Sequence, residues 1–266
     1  MKVLVIPDLH GRKFWRKAIN NNIGQVDKVI FLGDYLDPYS EEIMMAPELM
    51  ECNDFYDCQG LLNMLNDIVS LKKNDPDKFI VLTGNHTDSY IWSNFSAATR
   101  TDYKNWEKYH KFFSQNLNLF NLIWIENNVI FSHAGISEGW ANRVREYLEF
   151  SENELSSIKE IAEVLKDIPL NNFTQEYIDV ISDISRERGG WFIYGSSEWA
   201  DLIEHVDTQN STKDNIIPKE KEEGIYQVFG HTQLKDGPLI TNKWACIDCR
   251  KGFIFDTITH ECNSCL

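Results

Sequence analysis

Five times along this chain an apolar run, rich in β-branched residues, ends in a short segment that combines glycine with Asp, Asn or His. "KVLVIP" (2–7) leads to Asp8 and His10, and "DKVIFLG" (27–33) leads to Asp34 and Asp37. "KFIVLTG" (78–84) leads to Asn85 and His86, "VIFSHAG" (129–135) contains His133, and "IYQVFGHT" (225–232) contains His231. Runs of this length and composition are strands. Between the first three lie helical segments. One is "KFWRKAINNN" (13–22). The other, "CQGLLNMLNDIVSLKKNDP" (58–76), has an apolar stripe at 61, 62, 65, 68, 69 and 71 and is closed by "NDP". "LIWIENN" (122–128) and the run after it form a hairpin around two asparagines. Alternating strand and helix is the signature of an α/β sheet, whose strand carboxyl ends open into one crevice. The polar residues at the five exits are therefore expected to converge, although residues 8 to 231 separate them in sequence.

The rest of the chain fits around that frame. Residues 138–188 carry helical periodicity with a break at "DIPLNN" (167–172), and are read as a helical insertion. "GGWFIYGSSEWADLIEH" (189–205) is aromatic, and 207–224 is a polar loop. Short strands then return, ending in a cysteine-containing tail at 246–266. A length of 266 residues with 42% apolar content allows one large domain or two small ones. The expected fold is a single α/β domain, a two-sheet sandwich flanked by helices. No apolar stretch approaches the ~18–20 residues of a membrane span. The apolar start of the chain is too short for a secretory core, so a cytoplasmic location is expected.

A net charge of −15 argues against broad binding to nucleic acid. An anionic substrate would need bound metal or a local arginine to be held here.

The donors at the strand exits are carboxylate, imidazole and amide, with no cysteine or serine nucleophile among them. Such a set suits Mn, Fe or Zn, with manganese favoured. Six or more ligands exceed one tetrahedral site and suit two cations sharing a carboxylate. Two cations ~3.5–4 Å apart can clamp phosphoryl oxygens and generate hydroxide for in-line attack on phosphorus.

"DLHG", "GDYLD", "GNH", "SHAG" and "GHT", in this order, resemble the calcineurin-like metallophosphoesterase superfamily, and most closely its serine/threonine protein phosphatase and diadenosine-polyphosphatase branches. The resemblance implies a dinuclear phosphoesterase. By position, Asp8 and His10 would bind one metal, Asp34 would bridge, and Asn85, His133 and His231 would bind the other. His86 would be the general acid at the leaving oxygen, held by Asp37, and a carboxylate partner favours its protonated form. Glycines 33, 84 and 230 would let backbone approach the cluster.

The chain also departs from the family. Where protein phosphatases have arginines, it has Pro38 and Thr83, and where many members have a further histidine it has Gln233. Arg12, Arg100, Arg143, Arg186 and Arg188 are candidate replacements for the phosphate-holding cation. Trp191, Phe192, Tyr194 and Trp199 could roof the site, as could the loop from Tyr39 to Asp57, or they could pack the insertion against the core. The expected reaction is hydrolysis of a phosphomonoester, on a phosphoprotein or a nucleotide. The alternatives are cleavage of a pyrophosphate or phosphodiester, as in a dinucleoside polyphosphate or cyclic nucleotide, and a non-catalytic binding module on the same fold.

Cys246, Cys249, Cys262 and Cys265 have the spacing of a structural zinc site. Residues three apart on one strand face opposite sides, which favours buried or free thiols instead.

Overall fold

The computed structural model describes residues 1–38, 57–92, 100–136, 138–148, 155, 157–173, 224–234 and 237–265. Two five-stranded mixed sheets face one another, with helices on the outside.

The first sheet is built on β1 (Lys2–Ile6), β2 (Lys28–Phe31) and β3 (Phe79–Val81), which run parallel. Helices α1 (Phe14–Asn22) and α2 (Cys58–Asn74) make the two crossovers. β9 (Phe253–Asp256) and β10 (Cys262–Ser264) extend this sheet antiparallel beside β1. The second sheet has the order β4 (Ile123–Glu126), β5 (Val129–Ser132), β6 (Tyr226–Phe229), β8 (Trp244–Cys246), β7 (Leu239–Ile240). Within it β5, β6 and β8 are parallel. The β4–β5 hairpin turns on Asn127 and Asn128, both in the left-handed region at φ 49° and 64°. That is the backbone of a type I′ turn, which asparagine tolerates better than most residues.

The period of two along each strand sorts the core into layers. Val3, Val5, Ile30, Leu32, Ile80 and Leu82 face inward and meet Val129, Phe131, Val228 and Ala245 from the other sheet. The intervening Leu4, Ile6, Val29, Phe31 and Val81 face outward with Trp15, Ala18, Met64, Leu65 and Ile68 of the helices. β1 is thus apolar on both faces, which is why its sequence reads as an unbroken run rather than an alternation. Helix α2 starts at Asp57, whose carboxylate accepts the Gly60 N–H at 2.7 Å, and has Lys72 and Lys73 in its last turn.

Of the region expected to be a helical insertion, the described part holds α5 (Glu138–Tyr147), α6 (Ile158–Leu165) and a 3₁₀ turn at Leu170–Asn172. Two further helices were not anticipated from periodicity: α3 (Asn85–Ile91), which opens directly on "GNH", and α4 (Trp106–Asn116). The aromatic segment 189–205 and nearly all of the 39–57 loop lie outside the described residues. Among the described residues no helix is long and apolar enough to cross a membrane.

Candidate metal centre

Five parallel strands, three from the first sheet and β5 and β6 from the second, contribute residues to one rim. Asp8 and His10 follow β1, Asp34 and Asp37 follow β2, and Asn85 and His86 follow β3 at the start of α3. His133 follows β5 and His231 follows β6. The structure brings all eight together, and seven of them are buried, with His231 partly so.

The chain reaches this arrangement through unusual backbone. His10, Asp34, Asp37 and His231 all have φ between 42° and 67°. Left-handed conformations cost roughly 1–3 kcal/mol each in non-glycine residues and concentrate at functional sites. Gly33 and Gly84 allow β2 and β3 to meet at their exits: a Cβ on Gly33 would lie 2.6 Å from the Thr83 carbonyl oxygen. On Gly84 it would collide with Asp34 Oδ1, and on Gly230 with Asp8 Oδ1.

The hydrogen bonds fix which atoms point inward. His133 Nδ1 lies 3.0 Å from the Leu32 carbonyl oxygen and His10 Nδ1 lies 2.8 Å from that of Leu36. A carbonyl only accepts, so each Nδ1 carries its hydrogen, and in the neutral ring each Nε2 is a bare lone pair. His133 Nε2 then faces Asn85 Oδ1 at 3.0 Å, His231 Nδ1 at 3.1 Å and Asp34 Oδ2 at 3.4 Å. His10 Nε2 faces Asp34 Oδ2 at 3.7 Å and Asp8 Oδ2 at 4.0 Å. Asp34 Oδ2 is common to both groups, while Asp34 Oδ1 accepts the His86 N–H at 2.9 Å. Asp8 accepts the His231 N–H on both oxygens, at 3.0 and 3.2 Å.

Convergent acceptors with few donors between them are what a cation requires. Histidines anchored through the other ring nitrogen to a backbone carbonyl are the usual metal-ligand arrangement. Two such groups are present among the described residues, His10–Asp34–His86 and Asp34–His133–His231, with ligand atoms within 4.8 Å of one another in each. The donor set therefore fits divalent cations.

The electrostatics express the same crowding. Burial pushes Asp8 up to about 6 against the pull of His133. Burial acts to raise Asp34 as well, but the imidazoles of His133, His86 and His10 outweigh it and hold that carboxyl well below the usual range. Burial alone would lower His133, yet Asp34 and Asp8 raise it to about 9. Burial and the neighbouring His133 lower His231 to about 3.

Asp37 and His86 form a second unit at the edge of this cluster. His86 Nδ1 lies 2.7 Å from Asp37 Oδ2, and the His86 ring meets His10 edge-on at 4.8 Å between centroids. The other Asp37 oxygen accepts the Tyr90 hydroxyl. Burial is the main influence raising Asp37, opposed by its bonds to His86 and Tyr90.

The candidate arginines separate. Arg100 is exposed, and its Nε donates to the Asp37 carbonyl at 3.3 Å. With Leu36, Asp37, Pro38, Leu61 and Asp102 it lines a cleft of about 280 Å³. Arg12 is fully buried, donates to the Leu9 carbonyl at 3.3 Å, and places its charge near the buried Asp248. Arg12 is therefore a packing cation rather than a surface to which phosphate could bind. Arg186, Arg188 and the side chain of Arg143 lie outside the described residues. Thr83, where an arginine was expected, is buried and donates to Asp88 Oδ1 at 3.1 Å.

The four tail cysteines are not gathered. Cys246 is buried and donates to the Gly230 and Thr232 carbonyls at 3.5 and 3.6 Å. Cys249 and Cys262 border the inter-sheet core, and Cys265 joins the outer one. No three of them bring their sulfurs within 4.8 Å of one another. Cys246 closes β8 and Cys249 lies beyond it, so the two are not three apart on one strand as the spacing had suggested.

Tyr90 had no signal as a site residue in the sequence. Only once 85–91 is known to be helical does its position four residues after His86 place both on one face.

A family model described as calcineurin-like phosphoesterase matches residues 1–235. No curated protein sequence matches the chain. Among solved structures the chain is similar to a protein serine/threonine phosphatase from Saccharomyces cerevisiae with similarity to human phosphatase PP5, at 14% identity and a TM-score of 0.42, covering 93% of this chain and 66% of that one. It is also similar to the phosphatase domain from the Legionella effector WipB, at 14% identity and a TM-score of 0.37, covering 81% and 77%. A third is a metallophosphoesterase from Sphaerobacter thermophilus, at 16% identity and a TM-score of 0.27, covering 51% and 47%.

Proposed function

Since the chain belongs to the calcineurin-like phosphoesterase family, we propose that it hydrolyses a phosphomonoester at a centre of two divalent cations, with His86 protonating the departing oxygen. Asp8, His10 and Asp34 would hold one cation, and Asp34, Asn85, His133 and His231 the other. Bound there, the cations would polarise the phosphoryl oxygens and lower the pKa of coordinated water. The observation that carries this reading is the shared Asp34 Oδ2, which faces Nε2 of His10 and Nε2 of His133 at once.

The remaining work falls to the chain's own groups. Asp37 accepts the Nδ1–H of His86, which fixes the ring plane and leaves the opposite nitrogen to exchange a proton with the leaving group. Arg100 stands beside that pair, exposed and tethered to Asp37, where it would hold a phosphoryl oxygen in place of the arginines replaced by Pro38 and Thr83.

The test combines a substrate panel of phosphopeptides, nucleotides and p-nitrophenyl phosphate with manganese, chelator and His86→Ala. Turnover should collapse in chelator. In His86→Ala it should fall roughly 10²–10⁴-fold, the usual worth of general acid catalysis, with metal content near that of the unmodified protein. A His86→Ala protein that lost its metal would make His86 a ligand instead, and one that kept full turnover would remove it from the mechanism.

One observation favours a second reading. The cleft of about 280 Å³ beside Asp37 has space for more than a phosphoryl group. A diester or nucleotide pyrophosphate could seat its second substituent there. Faster turnover of bis-p-nitrophenyl phosphate than of p-nitrophenyl phosphate would select that reading.

A further inference from the structure

We infer that Tyr90 is a positioning residue for proton delivery: its hydroxyl locks the Asp37 carboxylate in the one orientation that lets the opposite oxygen steer His86. This rests on the reading of His86 as the proton donor.

The direction of each bond can be assigned. The Tyr90 oxygen lies 2.7 Å from the Asp102 backbone nitrogen, and an amide N–H can only donate. The hydroxyl therefore accepts there, and its single hydrogen goes to its other neighbour, Asp37 Oδ1. Asp37 Oδ2 is taken by the His86 Nδ1–H. With both oxygens committed, the carboxylate cannot turn without breaking two bonds, and a ring whose partner cannot turn holds its own plane.

The tyrosine is itself fixed at three points. Its backbone carbonyl accepts from His110 Nδ1 at 2.9 Å. Its ring packs edge-on against Tyr109 at 5.1 Å between centroids. The Asp102 segment that supplies the amide is tied down by its own carboxylate, which accepts from the Asn105 N–H at 3.2 Å and from Asn105 Nδ2 at 2.8 Å. His86 and Tyr90 sit one turn apart on α3, so the acid and its outer support move as one body.

A buried tyrosine needs a partner for its hydroxyl in any protein. The amide meets only the accepting half of that requirement, because the hydroxyl still has a hydrogen to place. The acceptor it finds is Asp37, the carboxylate that holds the His86 ring nitrogen.

The role predicts a dependence on the leaving group. A good leaving group departs without a proton and a poor one does not. Turnover by the manganese-loaded protein should be compared on p-nitrophenyl and phenyl phosphate for the unmodified chain, His86→Ala, Tyr90→Phe and Trp106→Phe. Trp106→Phe loosens α3 without touching Asp37. Tyr90→Phe should lower kcat on phenyl phosphate roughly 10–100-fold, as expected for a lost hydrogen bond to a charged group. It should change p-nitrophenyl phosphate turnover less than about two-fold, with KM unaltered on both. Trp106→Phe should lower both esters alike. If His86→Ala shows the leaving-group dependence and Tyr90→Phe does not, Tyr90 is merely structural. If His86→Ala itself lacks the dependence, the proton-donor reading falls first and takes this inference with it. A second readout needs no turnover. The downfield imidazole proton resonance identified by its loss in His86→Ala should shift in Tyr90→Phe, and an unmoved resonance would overturn the role.

Discussion

At position 230 a single added carbon would collide with Asp8 Oδ1. Gly230 is not in the left-handed region, so an alanine there would meet no backbone penalty and its whole effect would be steric. The same oxygen is paired with the His231 N–H, so the glycine is what lets the chain after β6 close on the residue after β1. Gly230→Ala should cost about 1–3 kcal/mol of stability, the usual price of overpacking. Its larger effect should be on metal: moving a ligand from place typically costs about 10–100-fold in affinity. Manganese titration by calorimetry beside a thermal melt would check both, and unchanged affinity would mean that Asp8 is not a ligand. The same reasoning applies to Gly84, where the added carbon would meet Asp34 and also stand 2.9 Å from His133 Nδ1.

Among the elements, α3 is the one on which the site depends most and the one the sequence hid best. It is seven residues long, every one of them buried, so it carries no amphipathic stripe from which a helix could be read. What holds it is α4: Trp106 Nε1 donates to the Ser89 carbonyl at 2.7 Å and His110 Nδ1 to that of Tyr90 at 2.9 Å, with the two rings stacked at 4.5 Å. These bonds satisfy carbonyls at the carboxyl end of a short helix that has no turn beyond them. Trp106→Phe should cost about 1 kcal/mol and lower turnover as α3 loosens. Ser157→Ala, which breaks the capping box of α6, should cost a similar ~1 kcal/mol with turnover unchanged. Equal losses of turnover in the two variants would show that α3 has no special place. The strands were legible for the opposite reason. β1, β2 and β5 are buried on both faces or nearly so, and their unbroken apolar runs announce them. The polar residues at strand exits were legible because the defect recurs after β1, β2, β3, β5 and β6. Arg12 and Asp248 were not, because a buried ion group has no sequence pattern of its own: Arg12 reads like any surface arginine until the fold encloses it. Nor could spacing settle the cysteines, since Cys246 lies on β8, Cys262 on β10, and Cys249 and Cys265 beyond the ends of those strands.

On the scale of the whole molecule, the chain's net charge of −15 opposes its proposed substrate. A phosphomonoester is a dianion near neutral pH, and the summed field of an acidic protein lowers its concentration near the surface. Within the site the balance would reverse, because the proposed cations and Arg100 would stand beside the phosphoryl group. Salt acts unequally on the two contributions. The long-range repulsion extends beyond the Debye length of ~10 Å at 0.1 M and is largely screened, whereas contacts inside a partly enclosed site are screened much less. Raising ionic strength should therefore increase kcat/KM for a phosphomonoester, through KM rather than kcat. This is opposite to the behaviour of enzymes whose surfaces steer anionic substrates inward. Arg100→Met should raise KM at every salt concentration and leave the slope unchanged, since it removes a local contact and alters the global charge by a single unit. Measuring kcat/KM against sodium chloride for both proteins separates the two effects. A kcat/KM that fell with salt would mean that attraction near the site dominates the encounter, and that the acidic body is turned away from the path by which substrate arrives.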